Sequence, residues 1–250
     1  MLVGRDRDLT KVVENMQLGV HTLVFGPEGT GKSALLREAA LQINRNRPAS
    51  LRAVYVCDCS GCRNLLSEAL VGLPLENRNK PPRRLYPTSR IEGWLRVQDL
   101  RDQLFSAARS TTLCLLLDHL PPLHHKMQRL LEMLEQRFTL ACAVTANRAA
   151  YDLYYWKFEK IELADLPTAM ALGWVEDELR IMGYGGSLRA ALAREIIHQA
   201  GSNPGLISRT LDVIRSQPRR LDDPIRVARM FIDGLLNTRH PATGPRKSSR

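Results

Sequence analysis

The chain has 250 residues, of which 44% are apolar, enough for an α/β core with a small appendage and a sizeable buried interior. Lys and Arg number 36 against 26 acidic residues, and the formal net charge of +10 suits contact with a polyanion such as nucleic acid. No apolar stretch approaches the ~20 residues that span a bilayer, the opening MLVGRDRDLT lacks a signal-peptide h-region, and an odd cysteine count argues against a secreted disulfide framework, so a cytoplasmic protein without membrane contact is expected.

In chain order, residues 8–17 read as a short helix. The apolar run 20–25 reads as a buried strand ending in glycine. Residues 32–44 carry Ala34, Leu35, Leu36, Ala39, Ala40 and Ile43 at helical spacing. A strand over 52–57 and a helix over 63–72 follow. Residues 76–90 hold three prolines, five basic side chains and one acid, and read as a loop. Beyond it the pattern predicts a helix over 92–109, a strand over 112–117, a helix over 124–137, a strand over 139–145, a short helix over 148–156 and a strand over 158–163. Five strands alternating with helices imply a parallel sheet covered on both faces. After Pro167 the pattern is helical, with helices near 168–182, 187–200, 204–216 and 222–237. The expected organisation is an α/β core over 1–165, a helical domain over 166–238 and a basic disordered tail over 239–250.

Gly26-Pro27-Glu28-Gly29-Thr30-Gly31-Lys32-Ser33 matches G-x-x-x-x-G-K-[ST], the P-loop pattern. Glycines let the backbone wrap a phosphate chain with its N–H groups turned inward, and the following helix adds the positive end of its dipole. In this pattern Lys32 reaches the β and γ phosphates and the Ser33 hydroxyl ligates Mg²⁺, so Mg-ATP is the expected ligand. An acid at the end of a buried strand completes such a site, and Leu113-Cys-Leu-Leu-Leu-Asp118 supplies one. Asp118 is expected to hold the Mg²⁺ through water, beside Ser33.

P-loop ATPases with an inserted strand carry Glu after this Asp, as the base that polarises the attacking water; this chain has His119. His119 reads either as a proton acceptor near neutral pH or as a loop residue with no catalytic part. Hydrolysis is accordingly expected to be slow, partner-dependent or absent. At the end of the run Leu140–Val144, Asn147 or Thr145 suits hydrogen bonding to the attacking water or the γ-phosphate. Arg148 has the charge to pair with a γ-phosphate in its own chain or a neighbouring one.

Together these residues resemble the AAA+ superfamily, in particular its bacterial and archaeal branch next to the STAND signalling ATPases. Leu2-Val-Gly4-Arg5-Asp-Arg-Asp8-Leu9 is similar to the segment that lies over the adenine in that branch. Gly26–Ser33, Asp118 and Asn147 match Walker A, Walker B and sensor 1 in order. Lys160–Leu166 is similar to the last-strand segment leading into the helical lid, and Gly201-Ser-Asn-Pro204-Gly205-Leu-Ile-Ser-Arg209 to the turn and helix that carry sensor 2. The resemblance implies a five-stranded parallel-sheet P-loop core with a C-terminal helical lid, and it assigns Arg209 to the γ-phosphate. It also implies an ATPase that forms homo-oligomers on binding ATP and moves a partner macromolecule.

Among the remaining features, Cys57, Cys59 and Cys62 lack a fourth nearby metal ligand and read as small residues at a strand end and turn. His124 and His125 read as surface residues opening a helix. Trp94, Tyr151, Tyr154, Tyr155 and Trp156 read as core or interface rather than base-stacking groups. The basic loop residues Arg78, Lys80, Arg83, Arg84 and Arg90 are the candidate contacts to double-stranded DNA, and Arg239, Arg246, Lys247 and Arg250 could add to them. The expected function is a DNA-associated AAA+ ATPase that recruits or remodels a recombination, transposition or replication protein. The alternatives are a STAND-like nucleotide switch with little hydrolysis, and a non-hydrolysing scaffold subunit.

Overall fold

The computed structural model describes residues 2–46, 51–73, 96–108, 112–145 and 154–216. These form two compact units that divide between Leu163 and Ala164. The expected basic loop, the tail, the helix over 222–237 and most of the helix over 148–156 lie outside the described residues.

The first unit runs α1 (Asp6–Gln17), β1 (Thr22–Gly26), α2 (Lys32–Arg45), β2 (Leu51–Val56), α3 (Cys62–Val71), α4 (Val97–Ala107), β3 (Thr112–Leu117), α5 (His125–Glu135), β4 (Thr139–Thr145) and β5 (Glu159–Glu162). A single 3₁₀ turn at Tyr155–Lys157 precedes β5. The five strands make one sheet in the order β2-β3-β4-β1-β5, and every pairing is parallel. The strand β4 is thus inserted between β1 and β3.

Side chains alternate across a strand, so each continuous apolar run feeds both faces of the sheet. Leu113, Leu115 and Leu117 of β3 join Val54, Val56, Leu140 and Cys142 on one face, packed by Leu65, Leu66, Leu104, Leu130 and Leu131 of α3, α4 and α5. Cys114 and Leu116 of β3 join Val24, Ala53, Ala141 and Ala143 on the other, under α1 and α2. Each fully buried Leu contributes about 2 kcal/mol of apolar transfer. Small residues on the second face let α2 lie close to the sheet, which matters because α2 carries Lys32 and Ser33. The edge strand β2 is pinned to α2 by Asn44, whose amide donates to the Ala53 carbonyl at 2.8 Å and accepts from the Ala53 N–H at 3.0 Å.

His21, just before β1, accepts a hydrogen bond from the Leu140 N–H at Nδ1 (3.1 Å) and stacks on Phe158. Burial lowers its pKa below the usual 6.5; Glu135 opposes that shift and Lys157 adds to it. Well above pH 6.5 the ring is neutral in folded and unfolded chains alike, and the bond to Leu140 is intact. Below 6.5 the unfolded chain takes up a proton that the folded chain resists, so stability is lost as the pH falls through the lower folded value. Thermal melts from pH 7.5 to 5 should show this loss, and His21→Gln should flatten it. An equal loss in the variant would assign the effect to other groups.

The second unit comprises α6 (Thr168–Ile181), α7 (Gly186–Ala200) and α8 (Pro204–Ser216) among its described residues. Its core is Ala171, Val175 and Leu179 against Leu192, Ile196, Ile207, Leu211 and Ile214. The α7–α8 turn follows from local chemistry. Gly201 closes α7 in the left-handed region (φ 59°). The buried Asn203 caps α8, its Oδ1 accepting from the N–H groups of Gly205 (3.1 Å) and Leu206 (3.2 Å), with Pro204 in the first helical position. The Asn203 amide also donates to Asp165 at 2.9 Å, which ties the turn to the segment entering the unit. None of the described helices is long and apolar enough to cross a membrane.

Candidate functional site

Because all five strands are parallel, their C-terminal ends line one edge of the sheet. Open α/β sheets bind ligands at that edge. β1 delivers the glycine-rich loop there, β3 delivers Asp118, and β4 ends in Thr145, whose Cα pairs in register with Gly26. The inserted β4 therefore sets its C-terminal end directly beside the start of the glycine-rich loop. Asn147 and Arg148, two and three residues on, lie outside the described residues, as do Arg78, Lys80, Arg83, Arg84 and Arg90.

The loop takes the backbone that its glycines permit. Gly29 and Gly31 have φ of 83° and 96°, a region open to glycine and strained for other residues. Gly26 is small for a different reason: a Cβ there would sit 2.2 Å from the Leu163 carbonyl oxygen. Thr30 is fully buried, and its hydroxyl donates to the Pro27 carbonyl at 2.9 Å, closing the loop on itself. Arg5, also buried, donates to the Thr30 carbonyl at 3.1 Å and lies 3.7 Å from Asp8. The N-terminal segment is thereby bound to the underside of the loop, with Gly4 at φ 65° immediately before it.

Lys32 is buried, and its ammonium donates to the carbonyl oxygens of Gly26 (2.8 Å) and Pro27 (2.6 Å). Burial lowers its pKa, and the negative charges of Asp118 and Glu28 oppose that shift. Asp118 is almost completely buried, its N–H donating to the Val56 carbonyl at 2.9 Å. Both of its carboxylate oxygens are engaged: Oδ1 accepts from the His119 N–H at 2.9 Å and Oδ2 from the Tyr55 hydroxyl at 2.6 Å. The Tyr55 ring lies beneath the Arg37 guanidinium, 5.4 Å from the ring centroid, so α2 and β2 together hold the phenol that holds Asp118. Burial and the hydrogen bond to Asp118 push the Tyr55 pKa well up, and the phenol stays a donor.

Tyr55 is a site residue that the sequence reading did not single out. Its signal is faint: a half-buried polar tip on the edge strand, on the face that packs against α2.

His119 has φ 50°, the left-handed region that few non-glycine residues occupy. Its side chain is 69% exposed, and Nε2 lies 3.5 Å from both the Ser33 hydroxyl and Asp118 Oδ2. Ser33, Asp118 and His119 are therefore brought together from positions 86 residues apart. The donor set suits Mg²⁺, since a hydroxyl and a buried carboxylate are the hard oxygen ligands that this ion takes alongside nucleotide phosphates. Among the described residues no group of three or more His, Cys, Asp or Glu side chains gathers for a metal ion, so a cation here would also need Ser33 and the nucleotide.

The remaining candidates are placed as follows. Arg209 is exposed on α8, in the second unit. Cys57 is exposed and its thiol donates to Glu68 at 3.3 Å, whereas Cys59 is buried and burial raises its pKa. His124 caps α5, accepting from the Met127 N–H at Nδ1 (3.0 Å). Tyr155 is fully buried edge-on against Tyr154 and Phe158, a core role, while Trp156 is exposed.

No protein-family model matches the sequence, and no curated protein is a sequence match. Solved structures do share the architecture. The Walker-type ATPase paby2304 of Pyrococcus abyssi aligns with a TM-score of 0.65 at 11% identity, covering 95% of this chain and 74% of that one. The chain thus shares the fold of a Walker-type ATPase. A chain of the HORMA:CdnC:Trip13 complex of E. coli MS115-1 has a TM-score of 0.52 and 13% identity, over 93% of this chain and 89% of that one. PCH-2 of C. elegans has a TM-score of 0.54 and 12% identity, over 94% and 69%. At such identities the fold is what these chains have in common; the roles of individual residues rest on the geometry above.

Proposed function

We propose that the chain binds Mg-ATP in its P-loop and acts as a cytoplasmic AAA+ ATPase of the bacterial and archaeal branch near the STAND proteins. In this reading it assembles as a homo-oligomer on double-stranded DNA and recruits or remodels a protein partner in recombination, transposition or replication. The observation that carries the nucleotide part is the convergence of the glycine loop, buried Lys32, Ser33 and buried Asp118 at the C-terminal edge of one parallel sheet. A phosphate oxygen is a stronger acceptor than the neutral carbonyls that Lys32 now meets, so its ammonium would turn to the β and γ phosphates of a bound nucleotide. Ser33 would ligate the cation and Asp118 would hold it through water, and the cation would supply charge neutralisation on those phosphates. Arg5 keeps the loop in shape from beneath, with Gly4 beside the base, and Arg209 and Asn147 sense the γ-phosphate. Arg148 acts within the chain or across a subunit interface.

The DNA part is supported by the net charge of +10 and the five basic side chains between Arg78 and Arg90. A protein partner is supported by the fold relative from the HORMA:CdnC:Trip13 complex. His119, where a carboxylate base belongs, favours a second reading: a switch or scaffold subunit that holds nucleotide and hydrolyses little.

Phosphate release measured with and without duplex DNA separates the two. The first reading expects turnover stimulated by DNA and DNA binding that weakens steeply with salt. ATP binding with no turnover in either condition, and an ATP-driven change of oligomeric state without DNA, would replace it with the second.

A further inference from the structure

Tyr55 meets Asp118 by a route that the sheet makes specific. Its Cα pairs in register with Leu116 on β3, and Asp118 follows two positions beyond Leu116, with the ladder carried on by the Asp118 N–H donating to the Val56 carbonyl at 2.9 Å. The phenol therefore crosses the diagonal between two neighbouring strands, on the face packed by α2, and donates to Asp118 Oδ2 at 2.6 Å. That is the length of a hydrogen bond to a charged oxygen, about 2.5–2.7 Å. With Oδ1 accepting from the His119 N–H at 2.9 Å, the carboxylate is held at both oxygens, and each keeps a lone pair to offer to water. The ring is steadied from α2. Arg37 lies one helical turn beyond Ser33, on the same side of that helix, and its guanidinium stands 5.4 Å from the Tyr55 ring centroid. The helix that delivers Ser33 thus also fixes the phenol that orients Asp118.

We propose that Tyr55 is a positioning residue for the cation: its hydroxyl, with the ring steadied by Arg37, keeps the Asp118 carboxylate turned so that it accepts from water on the nucleotide-bound Mg²⁺. The proposal rests on the P-loop reading of the site. Asp118 is almost wholly buried, so bulk water does not replace a donor lost from it. Without the phenol, Oδ2 still faces His119 Nε2 at 3.5 Å, and a carboxylate released on that side can rotate toward the imidazole. Hydrogen-bond partners behind a metal site act through such orientation, and losing one costs about 10–100-fold in metal affinity. Lys32 is held by the Gly26 and Pro27 carbonyls, so the loop's own hold on phosphate does not run through Tyr55. The contribution of the phenol should therefore fall on the metal-dependent part of nucleotide binding.

The test uses the full chain and a fluorescent, non-hydrolysable ATP analogue, bound first in EDTA and then across a Mg²⁺ titration. The variant is Tyr55→Phe, which removes one oxygen and leaves the ring beneath Arg37; thermal melting checks its fold. Expected is an affinity in EDTA within about twofold of native, together with a rise of about tenfold or more in the Mg²⁺ concentration that half-saturates the metal response. A role in stability alone would lower the melting temperature and leave the metal response as in the native chain, and that result overturns the proposal. So does an equal loss of affinity with and without Mg²⁺. Should Tyr55→Phe fail to fold, Arg37→Gln takes its place: the residue is exposed and the hydroxyl stays, so a shift of about threefold in the same direction is expected, and an unchanged metal response overturns the proposal. A native chain that binds the analogue with no response to Mg²⁺ overturns the proposal and leaves nucleotide binding in place, whereas a native chain that does not bind the analogue in either condition overturns both readings.

Discussion

Lys32→Ala should lower ATP affinity and turnover by at least about a hundredfold, the usual scale for removing a charged or oriented donor from a phosphate or oxyanion site. The side chain is buried beneath the loop, and its ammonium holds two loop carbonyls, those of Gly26 and Pro27. Burial works against its charge while Asp118 and Glu28 support it. Alanine is the best helix former and α2 keeps Leu35, Leu36, Ala39 and Ile43 in the core, so the variant should fold. Binding of a fluorescent ATP analogue and phosphate release are the measurements. Retention of affinity within about threefold of native would mean that Lys32 does not reach the phosphates, and the functional reading would fall with it.

Asp118→Asn should remove the metal dependence of nucleotide binding while preserving the fold. Asparagine matches the carboxylate in size, and its carbonyl oxygen can still accept from either the Tyr55 hydroxyl or the His119 N–H. The charge that holds a divalent ion is gone. Native protein should bind the ATP analogue more tightly as Mg²⁺ or Mn²⁺ is added; the variant should show little response, a loss on the order of tenfold or more in metal affinity. Asp118→Ala would be a poorer test, since it leaves the Tyr55 hydroxyl without its acceptor at a cost of about 1–3 kcal/mol. A metal response unchanged in Asp118→Asn would move the cation site elsewhere.

Several elements were legible before any coordinates, each for a local reason. The runs 113–117 and 140–144 are continuously apolar because both faces of a parallel strand are buried, and the strands that contain them, 112–117 and 139–145, match the predicted ranges. The helices α1 to α8 of the described residues begin and end within about five residues of the periodic pattern, since glycine and proline interrupt it at fixed places: α2 after Gly31, α8 at Pro204. The glycine loop announces itself because only glycine tolerates φ near 90° at Gly29 and Gly31. Asp118 could be picked out as the first acid after a buried run.

The sequence by itself therefore determined the element types, the P-loop and the acid that follows β3, because backbone conformation and burial leave marks in adjacent residues. The tertiary structure decided who meets whom. Periodicity carries no record of strand order, and it is the insertion of β4 between β1 and β3 that sets Thr145 against Gly26. The hydroxyl of Tyr55 reaches Asp118 across 63 positions, and Nε2 of His119 comes to Ser33 across 86. The Gly26 side-chain position is filled by the Leu163 carbonyl, a contact made only when the chain returns after β5. These are pairings between distant segments, selected by how two sheet faces pack against their helices, and only the folded chain holds them at hydrogen-bonding or van der Waals distance.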